Sequence, residues 1–182
     1  MGMDIGSTTA KVMAVNELNE VLYSKYVRHH ARVRKALLDC LEELETVVGD
    51  LAVSVRMTGS IGMGVAEKYA LPFVQEVVAA THAIREAYPG VQSLIDIGGE
   101  DAKVVFFKDE EAKDLRMNGN CAGGTGAFID QMAVILGVEV EELDGLAARS
   151  TKIYPIASRC GVFCKTDIQN LVAKNVSRED IA

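Results

Sequence analysis

The amino-acid sequence predicts an α/β protein built from two duplicated half-domains, and three observations support this prediction. Apolar segments of strand length alternate with segments whose apolar residues recur at helical spacing. A polar turn at residues 4–11 lies between two apolar segments, as expected for a β-hairpin. A second turn at residues 96–103 repeats its Asp, Ile, Gly, Ala and Lys in the same order, at an offset of 92 residues from Asp4 to Asp96. The repeat predicts two half-domains, residues 1–88 and 89–182, whose turns face each other across a cleft.

The elements of the first half-domain follow from apolar periodicity and from the positions of glycine and polar residues. Three consecutive strands form an antiparallel meander, since short polar turns separate them. The helix that follows has its apolar residues on one face and ends at Gly49. A fourth strand ends in a glycine-rich loop at residues 59–64. The predicted strands are 1–5, 11–15, 21–27 and 53–58, and the predicted helices are 30–49, 65–69 and 77–88.

The second half-domain opens with the repeated hairpin, whose second strand includes residues 104–107. Residues 109–113 are charged and are expected to be exposed. A glycine-dense segment at residues 118–126 precedes a helix that ends at Gly137. The remaining predicted elements are a strand at 114–117 and helices at 127–136, 141–148 and 166–175, the last with Thr166 as its N-cap.

Charge, apolar content and cysteine count exclude several classes of protein. The 182 residues carry a net charge of −7, which argues against general nucleic-acid binding because nucleic acids require a basic surface. No apolar segment approaches the roughly 20 residues that span a bilayer, and no signal peptide is recognisable, so we expect a cytoplasmic protein. Without an export signal, the four cysteines are expected to be thiols or metal ligands rather than disulfides.

The two acidic turns have the composition of a phosphate-binding site. Glycine lets the backbone approach an oxyanion, and backbone amides can donate to it together with Ser7, Thr8 and Thr9. The carboxylates of Asp4 and Asp96 cannot ligate phosphate directly, but they suit a hydrated Mg²⁺ or a positioned water. A strand follows each turn, which excludes the P-loop and the dinucleotide-binding fold, in which a helix follows. A polar hairpin turn without a ligand is the alternative for either turn taken alone.

Two of the cysteines have a sequence context that suits a metal centre. Cys121 lies in glycine-rich backbone, Cys160 follows 39 residues later, and each precedes a predicted helix, whose N-terminus favours a thiolate. Two thiolates cannot complete a four-thiolate cluster, whereas a two-fold dimer supplies both from each subunit. A pair of buried thiols is the alternative. Cys40 lies within the first predicted helix and is expected in the core, and Cys164 is expected to be a half-buried thiol.

Together, these motifs resemble those of a known family. The turns at residues 4–9 and 96–101 are similar to the two phosphate motifs of the actin, sugar kinase and Hsp70 superfamily. The segments at residues 118–128 and 159–163 narrow the resemblance to the ATP-dependent activators of 2-hydroxyacyl-CoA dehydratases and the related ATPase subunits of benzoyl-CoA reductase. The similarity extends over essentially the whole chain.

The resemblance implies a fold of two ribonuclease H-like halves and a site for ATP or ADP with Mg²⁺. It implies that Asp96 orients the attacking water or the Mg²⁺, and that Asp4 helps to hold the metal through water. It also implies that Cys121 and Cys160 bind one 4Fe–4S cluster shared across a homodimer. The residues expected to contact the phosphates are Gly6, Ser7, Thr8, Thr9, Lys11, Gly98, Gly99, Gly124, Thr125 and Gly126.

The function implied by this resemblance is reductive activation. ATP hydrolysis would drive the transfer of one electron from the reduced cluster to a partner, a 2-hydroxyacyl-CoA dehydratase or an enzyme of the benzoyl-CoA reductase type. A reduced ferredoxin or flavodoxin would supply that electron. Nucleic acids and membranes are not expected partners.

Two other functions are compatible with the acidic turns. One is a sugar or carboxylate kinase of the same superfamily, which would have no use for Cys121 and Cys160, and the other is a non-redox ATP-dependent regulator. Relatives continue beyond a position like Ala182 with a glycine motif that binds adenosine and a helix that returns to the first half. We therefore expect this chain to be a fragment of a longer activator or one domain of a larger protein, with an incomplete second half and weak nucleotide binding by itself.

Overall fold

The computed structural model describes residues 1–108, 111–118 and 121–182. Four residues used in the sequence analysis lie outside the described residues: Asp109, Glu110, Gly119 and Asn120. The chain divides into two compact units. Unit 1 comprises Met1–Leu94 and Phe107–Lys113, and unit 2 comprises Ile95–Phe106 and Asp114–Ala182. The predicted boundary of the duplication, after residue 88, stays a prediction.

A four-stranded sheet forms the centre of unit 1. Its strands are β1 (Gly2–Ile5), β2 (Thr9–Val15), β3 (Val21–Arg28) and β4 (Arg56–Thr58), in the order β3-β2-β1-β4. β1 runs antiparallel to β2 and parallel to β4, and β2 runs antiparallel to β3. The predicted meander is therefore confirmed. β2 begins two residues earlier than predicted, and β4 begins three residues later.

The helices of unit 1 are α1 (Val33–Val48), α2 (Gly62–Tyr69) and α3 (Glu76–Ala87). α1 covers the buried face of the sheet and contributes Cys40 and Leu44 to a core that also contains Ile5 and Tyr23. Cys40 is 2 % exposed, and burial raises the pKa of its thiol, so its predicted core position is confirmed. Burial likewise raises the pKa of Tyr23 to about 12.

α2 begins inside the predicted glycine loop, three residues before its predicted start. Glycine has a low helix propensity, which is why the sequence indicated a loop here. Gly62 is buried, and a Cβ at this position would be 3.8 Å from the Cβ of Ile5 in β1. Close packing of the helix on the sheet therefore outweighs the low propensity of its first residues.

A second sheet contains β5 (Ser93–Ile97), β6 (Ala102–Lys108) and β7 (Glu111–Met117), in the order β5-β6-β7. The predicted hairpin at the second acidic turn is confirmed, because four residues connect β5 to β6 and so short a connection requires antiparallel strands. β7 begins three residues earlier than predicted, and its side chains are exposed. The predicted exposure of the charged segment holds for residues 111–113, where Lys113 and Glu111 form an ion pair.

Unit 2 also contains the helices α4 (Gly126–Leu136), α5 (Leu143–Ala147), α6 (Gly161–Ala173) and α7 (Arg178–Ile181), with a 3₁₀ turn at Val140–Glu142 before α5. α4 and α5 confirm the helices predicted there, whereas α7 has no counterpart in the prediction. The buried apolar cluster of these helices consists of Met132, Leu136, Ile168 and Ile181. In the part of the chain that the structure describes, no helix has the length and apolar character needed to cross a membrane.

The predicted start of the last long helix at Thr166 is wrong. α6 begins at Gly161 with Cys160 as its N-cap, and the Thr166 hydroxyl donates to Val162 O (3.0 Å) inside the helix. Gly161 lies against the ring of Phe128, since a Cβ there would be 3.1 Å from a ring carbon. This tertiary contact lies at the first residue of the helix, and a local capping pattern does not reveal it.

The carboxylate of Asp180 connects α7 to the segment that follows α5. Its Oδ1 accepts hydrogen bonds from the backbone N–H groups of Thr151 (2.7 Å) and Lys152 (2.9 Å), which hold the pKa of Asp180 below its ordinary value of 3.8. A carboxyl whose pKa is lower in the folded state stabilises that state above its unfolded pKa. The contribution is lost as the pH falls through the folded pKa.

We therefore expect Asp180→Asn to lower the melting temperature at neutral pH and to have much less effect in acid. Thermal unfolding followed by circular dichroism at about pH 7 and about pH 2.5 measures both effects. Asp50→Asn is the control, because Asp50 is exposed. An equal loss at both pH values would contradict the role assigned to the ionised carboxylate.

Candidate functional site

The first acidic turn connects β1 to β2 in unit 1. The Gly6 N–H donates to Thr9 O (3.0 Å), which closes the turn. The antiparallel register places Asp4 opposite Lys11, and the Lys11 ammonium lies 2.7 Å from Asp4 Oδ2. Asp4 Oδ1 is buried and accepts no hydrogen bond from the described residues. This oxygen suits a donor from outside the chain, such as a water bound to a metal ion.

Gly59, directly after β4, brings bare backbone against the carboxylate of Asp4. Its φ is +91°, in the left-handed region, and a Cβ there would overlap the Ile5 carbonyl and lie 2.6 Å from Asp4 Oδ1. The Ile61 N–H donates to the same Ile5 carbonyl (3.0 Å). The sequence indicates only a loop at Gly59, because this contact joins segments that are distant along the chain.

His29, directly after β3, is buried and bonds twice to the first acidic turn. Its backbone N–H donates to Thr8 O (3.1 Å), and its Nε2 lies 3.1 Å from Gly6 O. Because Nδ1 accepts from the Ala31 N–H (3.2 Å), Nε2 carries the proton and donates to the Gly6 carbonyl. His29 is absent from the predicted site, since a histidine at the end of a strand is a weak signal.

The second acidic turn repeats the backbone geometry of the first. The Gly98 N–H donates to Asp101 O (2.8 Å), at the same relative positions as the bond that closes the first turn. Lys103, the repeated lysine, is 5 % exposed, and its ammonium lies 3.1 Å from Asp101 and 3.9 Å from Asp96. One buried cation therefore serves two carboxylates here, because an aspartate stands where the first turn has Thr9.

The N-terminus of α4 lies against the second acidic turn. The Gly126 N–H donates to Gly98 O (2.8 Å), and the Ala127 N–H donates to Gly99 O (3.3 Å). A Cβ at Gly126 would lie 3.1 Å from Gly98 O, so a larger residue there would move the helix away from the turn. Residues of the second acidic turn and of the N-terminus of α4 that are predicted to contact phosphate, Gly98, Gly99 and Gly126, therefore lie together within unit 2.

Thr125 is the N-cap of α4. It is fully buried, its hydroxyl donates to Ala122 O (2.7 Å), and its Oγ1 accepts from the Phe128 N–H. The hydroxyl therefore already has two partners within the protein, while the position of a Cβ at neighbouring Gly124 is open. The phosphate contacts predicted for these residues stay predictions.

The loop that carries Cys121 lies against the N-terminus of α6. Glycine backbone makes the contact: a Cβ at Gly123 would lie 3.2 Å from Gly161 N, and one at Gly161 would lie 3.2 Å from Gly123 Cα. Cys160 is the residue next to this contact, and Cys121 is two residues away from it. Two cysteine segments separated by 39 positions therefore lie side by side, as a shared metal centre requires.

Backbone donors favour the thiolate form of Cys121. The Gly123 N–H donates to Cys121 Sγ (3.4 Å), and this group together with the N–H of Gly161 lowers the pKa of the exposed Cys121 thiol. Cys160 is half-buried. Cys164 is also half-buried, as predicted, and burial raises the pKa of its thiol.

Two thiols are half of the donor set that a four-thiolate cluster needs. Across residues 1–108, 111–118 and 121–182, no group of three or more His, Cys, Asp or Glu side chains is placed to hold a metal ion. Cys121 is exposed and Cys160 is half-buried, so neither thiol lies in an apolar interior. Two such thiols at the surface fit a centre that a second copy of the chain completes.

Two solved structures resemble this chain closely. Component A of the (R)-2-hydroxyglutaryl-CoA dehydratase from Acidaminococcus fermentans matches with a TM-score of 0.84 and 31% identity, over 99% of this chain and 70% of that chain. The activator of the 2-hydroxyisocaproyl-CoA dehydratase from Clostridium difficile, solved with bound ADPNP, matches with a TM-score of 0.86 and 30% identity, over 99% of this chain and 68% of that chain. The predicted α/β, actin-like ATPase fold class is thereby confirmed.

Sequence comparison leads to the same group of proteins. The chain is 30% identical over 186 residues to the (R)-2-hydroxyglutaryl-CoA dehydratase activating ATPase of Acidaminococcus fermentans, which covers 100% of this chain and 70% of the relative. The model of the BadF/BadG/BcrA/BcrD ATPase family matches residues 1–182. The chain belongs to this family, and the resemblance inferred from its motifs is confirmed.

We expect Gly59→Ala to destabilise the protein. The substitution adds a Cβ at positive φ where it overlaps the Ile5 carbonyl and crowds Asp4, at a cost of about 2 kcal/mol or more. Gly64→Ala is the matched control: Gly64 lies in α2 with open space at its Cβ position, so alanine should stabilise the protein by about 0.5–1 kcal/mol. Urea denaturation measures both changes, and equal effects of the two substitutions would contradict the close approach at Gly59.

The lowered pKa of Cys121 should make it the more reactive thiol. In iron-free protein at about pH 7, we expect iodoacetamide to alkylate Cys121 at least about tenfold faster than Cys164, whose pKa is raised by burial. Peptide mass mapping after timed quenching measures both rates in one sample. A faster reaction at Cys164 would show that the backbone donors do not activate Cys121.

Proposed function

We propose that this chain is an ATP-dependent one-electron activator of a CoA-ester dehydratase or reductase. The observation that supports the proposal is the backbone contact between the Cys121 loop and the N-terminus of α6, which brings the two cysteine segments side by side. Cys121 is exposed and the pKa of its thiol is lowered, while Cys160 is half-buried. Membership of an ATPase family and a relative named as a dehydratase activating ATPase support the reaction and the class of partner.

We propose that each acidic turn is a binding element for the phosphates of ATP. The predicted contacts are residues 6–9, 98–99 and 124–126, together with Lys11. Each turn is closed by the same backbone hydrogen bond, and glycine at both leaves backbone amides near the turn surface. The relative from Clostridium difficile that carries ADPNP supports an adenine nucleotide as the ligand.

The carboxylates fit Mg²⁺ bound through water. Asp4 pairs with Lys11 through Oδ2, which leaves the buried Oδ1 to accept a hydrogen bond from water on the cation. Asp96 is proposed to orient the attacking water, and Lys103 keeps its carboxylate in position. When bound, Mg²⁺ supplies neutralisation of the phosphate charge.

Cys121 and Cys160, with the same residues of a second copy, are proposed to hold a 4Fe–4S cluster. When bound, this cluster supplies one-electron redox chemistry. The chain contributes two thiolates, the N–H groups of Gly123 and Gly161 that stabilise negative sulfur, and the N-terminus of α6. A reduced ferredoxin or flavodoxin is proposed to give up the electron that the dehydratase or reductase accepts.

A sugar or carboxylate kinase, or a regulator without redox chemistry, would explain the acidic turns but not the cysteines. Neither function needs the backbone N–H groups that lower the pKa of Cys121, and neither needs the close glycine contact between residues 123 and 161. A redox activator uses both features. A measurement of iron binding therefore distinguishes the activator from a kinase or a regulator.

Anaerobic reconstitution with iron and sulfide tests the proposal. We expect the unaltered chain to bind about four irons per dimer and, after reduction by dithionite, to show the electron paramagnetic resonance of a reduced cluster. Cys121→Ser or Cys160→Ser should each abolish iron retention, because each removes two of the four ligands of the dimer. Cys40→Ser is the control, since Cys40 lies in the core of unit 1. An unaltered chain that stays colourless and iron-free excludes the activator and favours a kinase or regulator.

A further inference from the structure

Asn118 lies directly after β7 and bonds to Ala102, a residue of the second acidic turn. Its backbone N–H donates to Ala102 O (3.0 Å), and its side-chain Oδ1 accepts from the Ala102 N–H (2.8 Å). Both backbone groups of Ala102 are therefore bonded to one residue. Ala102 stands between Asp101 and Lys103, which form the ion pair of the turn.

The same side chain also bonds to the cysteine loop. Asn118 Nδ2 donates to the carbonyl of Cys121 (2.8 Å). The orientation of the amide is determined by its partners, because the Ala102 N–H needs an acceptor and the Cys121 carbonyl needs a donor. One planar, rigid group therefore joins the second acidic turn to the backbone of Cys121.

The second acidic turn also bonds to α4, and this second set of hydrogen bonds does not lead to Cys121. The bond from Gly126 to Gly98 joins the turn to α4, beyond the buried cap residue Thr125. The bonds of Asn118 instead end at the carbonyl of Cys121, two residues from the Gly123 N–H that donates to the Cys121 sulfur. Two hydrogen bonds and one amide plane therefore link Ala102 to the backbone of the residue that carries the thiol.

We propose that Asn118 is the positioning residue that couples the second acidic turn to Cys121. This coupling rests on the proposed function, in which ATP is the ligand that moves the turn and Cys121 holds the redox centre. When the turn shifts, the amide of Asn118 carries the shift to the Cys121 carbonyl and changes the distance between the sulfur and its backbone donors. The state of the phosphates is thereby transmitted to the cysteine that holds the redox centre.

Two substitutions separate the two arms of this residue. Asn118→Asp keeps an acceptor for the Ala102 N–H but places a second oxygen against the Cys121 carbonyl, so only the arm to the cysteine is lost. Asn118→Ala removes both arms and is the second variant if the aspartate does not fold. Asn170→Asp, on the exposed face of α6, is the control for the added charge.

The first experiment needs neither ATP nor iron. Lys103→Met perturbs the turn next to Ala102, and the rate of Cys121 alkylation by iodoacetamide is measured by peptide mass mapping. We expect Lys103→Met to change this rate by at least about threefold in the unaltered chain and in the control variant Asn170→Asp. In the variants Asn118→Asp and Asn118→Ala, the same substitution should change the rate by less than about 1.5-fold. The same change in all four backgrounds, or no change in the unaltered one, overturns the proposal.

The second experiment uses the nucleotide. The rate of Cys121 alkylation is compared between protein with Mg²⁺ and a non-hydrolysable ATP analogue and protein with Mg²⁺ and ADP. We expect the two rates to differ by at least about threefold in the unaltered chain and in Asn170→Asp, but not in Asn118→Asp. The nucleotide affinity of Asn118→Asp should stay within about threefold of that of the unaltered chain. A nucleotide effect that survives Asn118→Asp overturns the coupling role. Failure of the unaltered chain to bind any nucleotide counts against the proposed function, and the Lys103→Met comparison then decides the role of Asn118 by itself.

Discussion

Close approach of backbone that carries no side chain is the constraint on which the rest of this structure depends. A Cβ atom at Gly59, Gly98, Gly123, Gly126 or Gly161 would lie 3.2 Å or less from a neighbouring atom. Three of these close approaches shape the candidate site: Gly59 with Asp4, Gly126 with Gly98, and Gly123 with Gly161. They determine the position of a carboxylate, of a helix N-terminus and of a thiol. The chemistry of the candidate site therefore depends on missing side chains as much as on those that are present.

The two acidic turns have the same closing backbone hydrogen bond but carry different charged side chains. The ammonium of Lys11 serves Asp4 at the surface of the first turn, whereas buried Lys103 lies between two aspartates in the second. The second turn also carries Glu100, so acidic groups outnumber the lysine within it. A phosphate that approaches this turn meets net negative charge and needs a divalent cation as a bridge. The two turns have in common the hydrogen bond that closes each of them and differ in their electrostatics.

Features with a local signal could be predicted from the sequence. The repeated turn is an example, because the glycine that closes it and the flanking apolar strands lie within a dozen residues. α1 is another, since its apolar face and its terminal Gly49 are both visible along the chain. Features that depend on distant partners could not be predicted. His29 bonds to the turn at residues 6–8, and Gly59 packs on Asp4, which no local pattern reveals. The capping pattern predicts too late a start for α6, because Thr166 has a stronger capping signal than Cys160, while the contacts at the observed start come from other segments.

The beginning of α6 also limits how this part of the protein can change. Cys160 makes no side-chain hydrogen bond to the helix that it caps, and the backbone N–H of Gly161 helps to lower the pKa of the Cys121 thiol. The first residue of α6 therefore acts on a thiol of a remote loop, and the two segments meet through bare backbone at residues 123 and 161. Residues 160–173 grafted onto another scaffold would lose this contact, and a change in one cysteine segment alters the surroundings of the other. The two segments are therefore expected to evolve as one heritable unit.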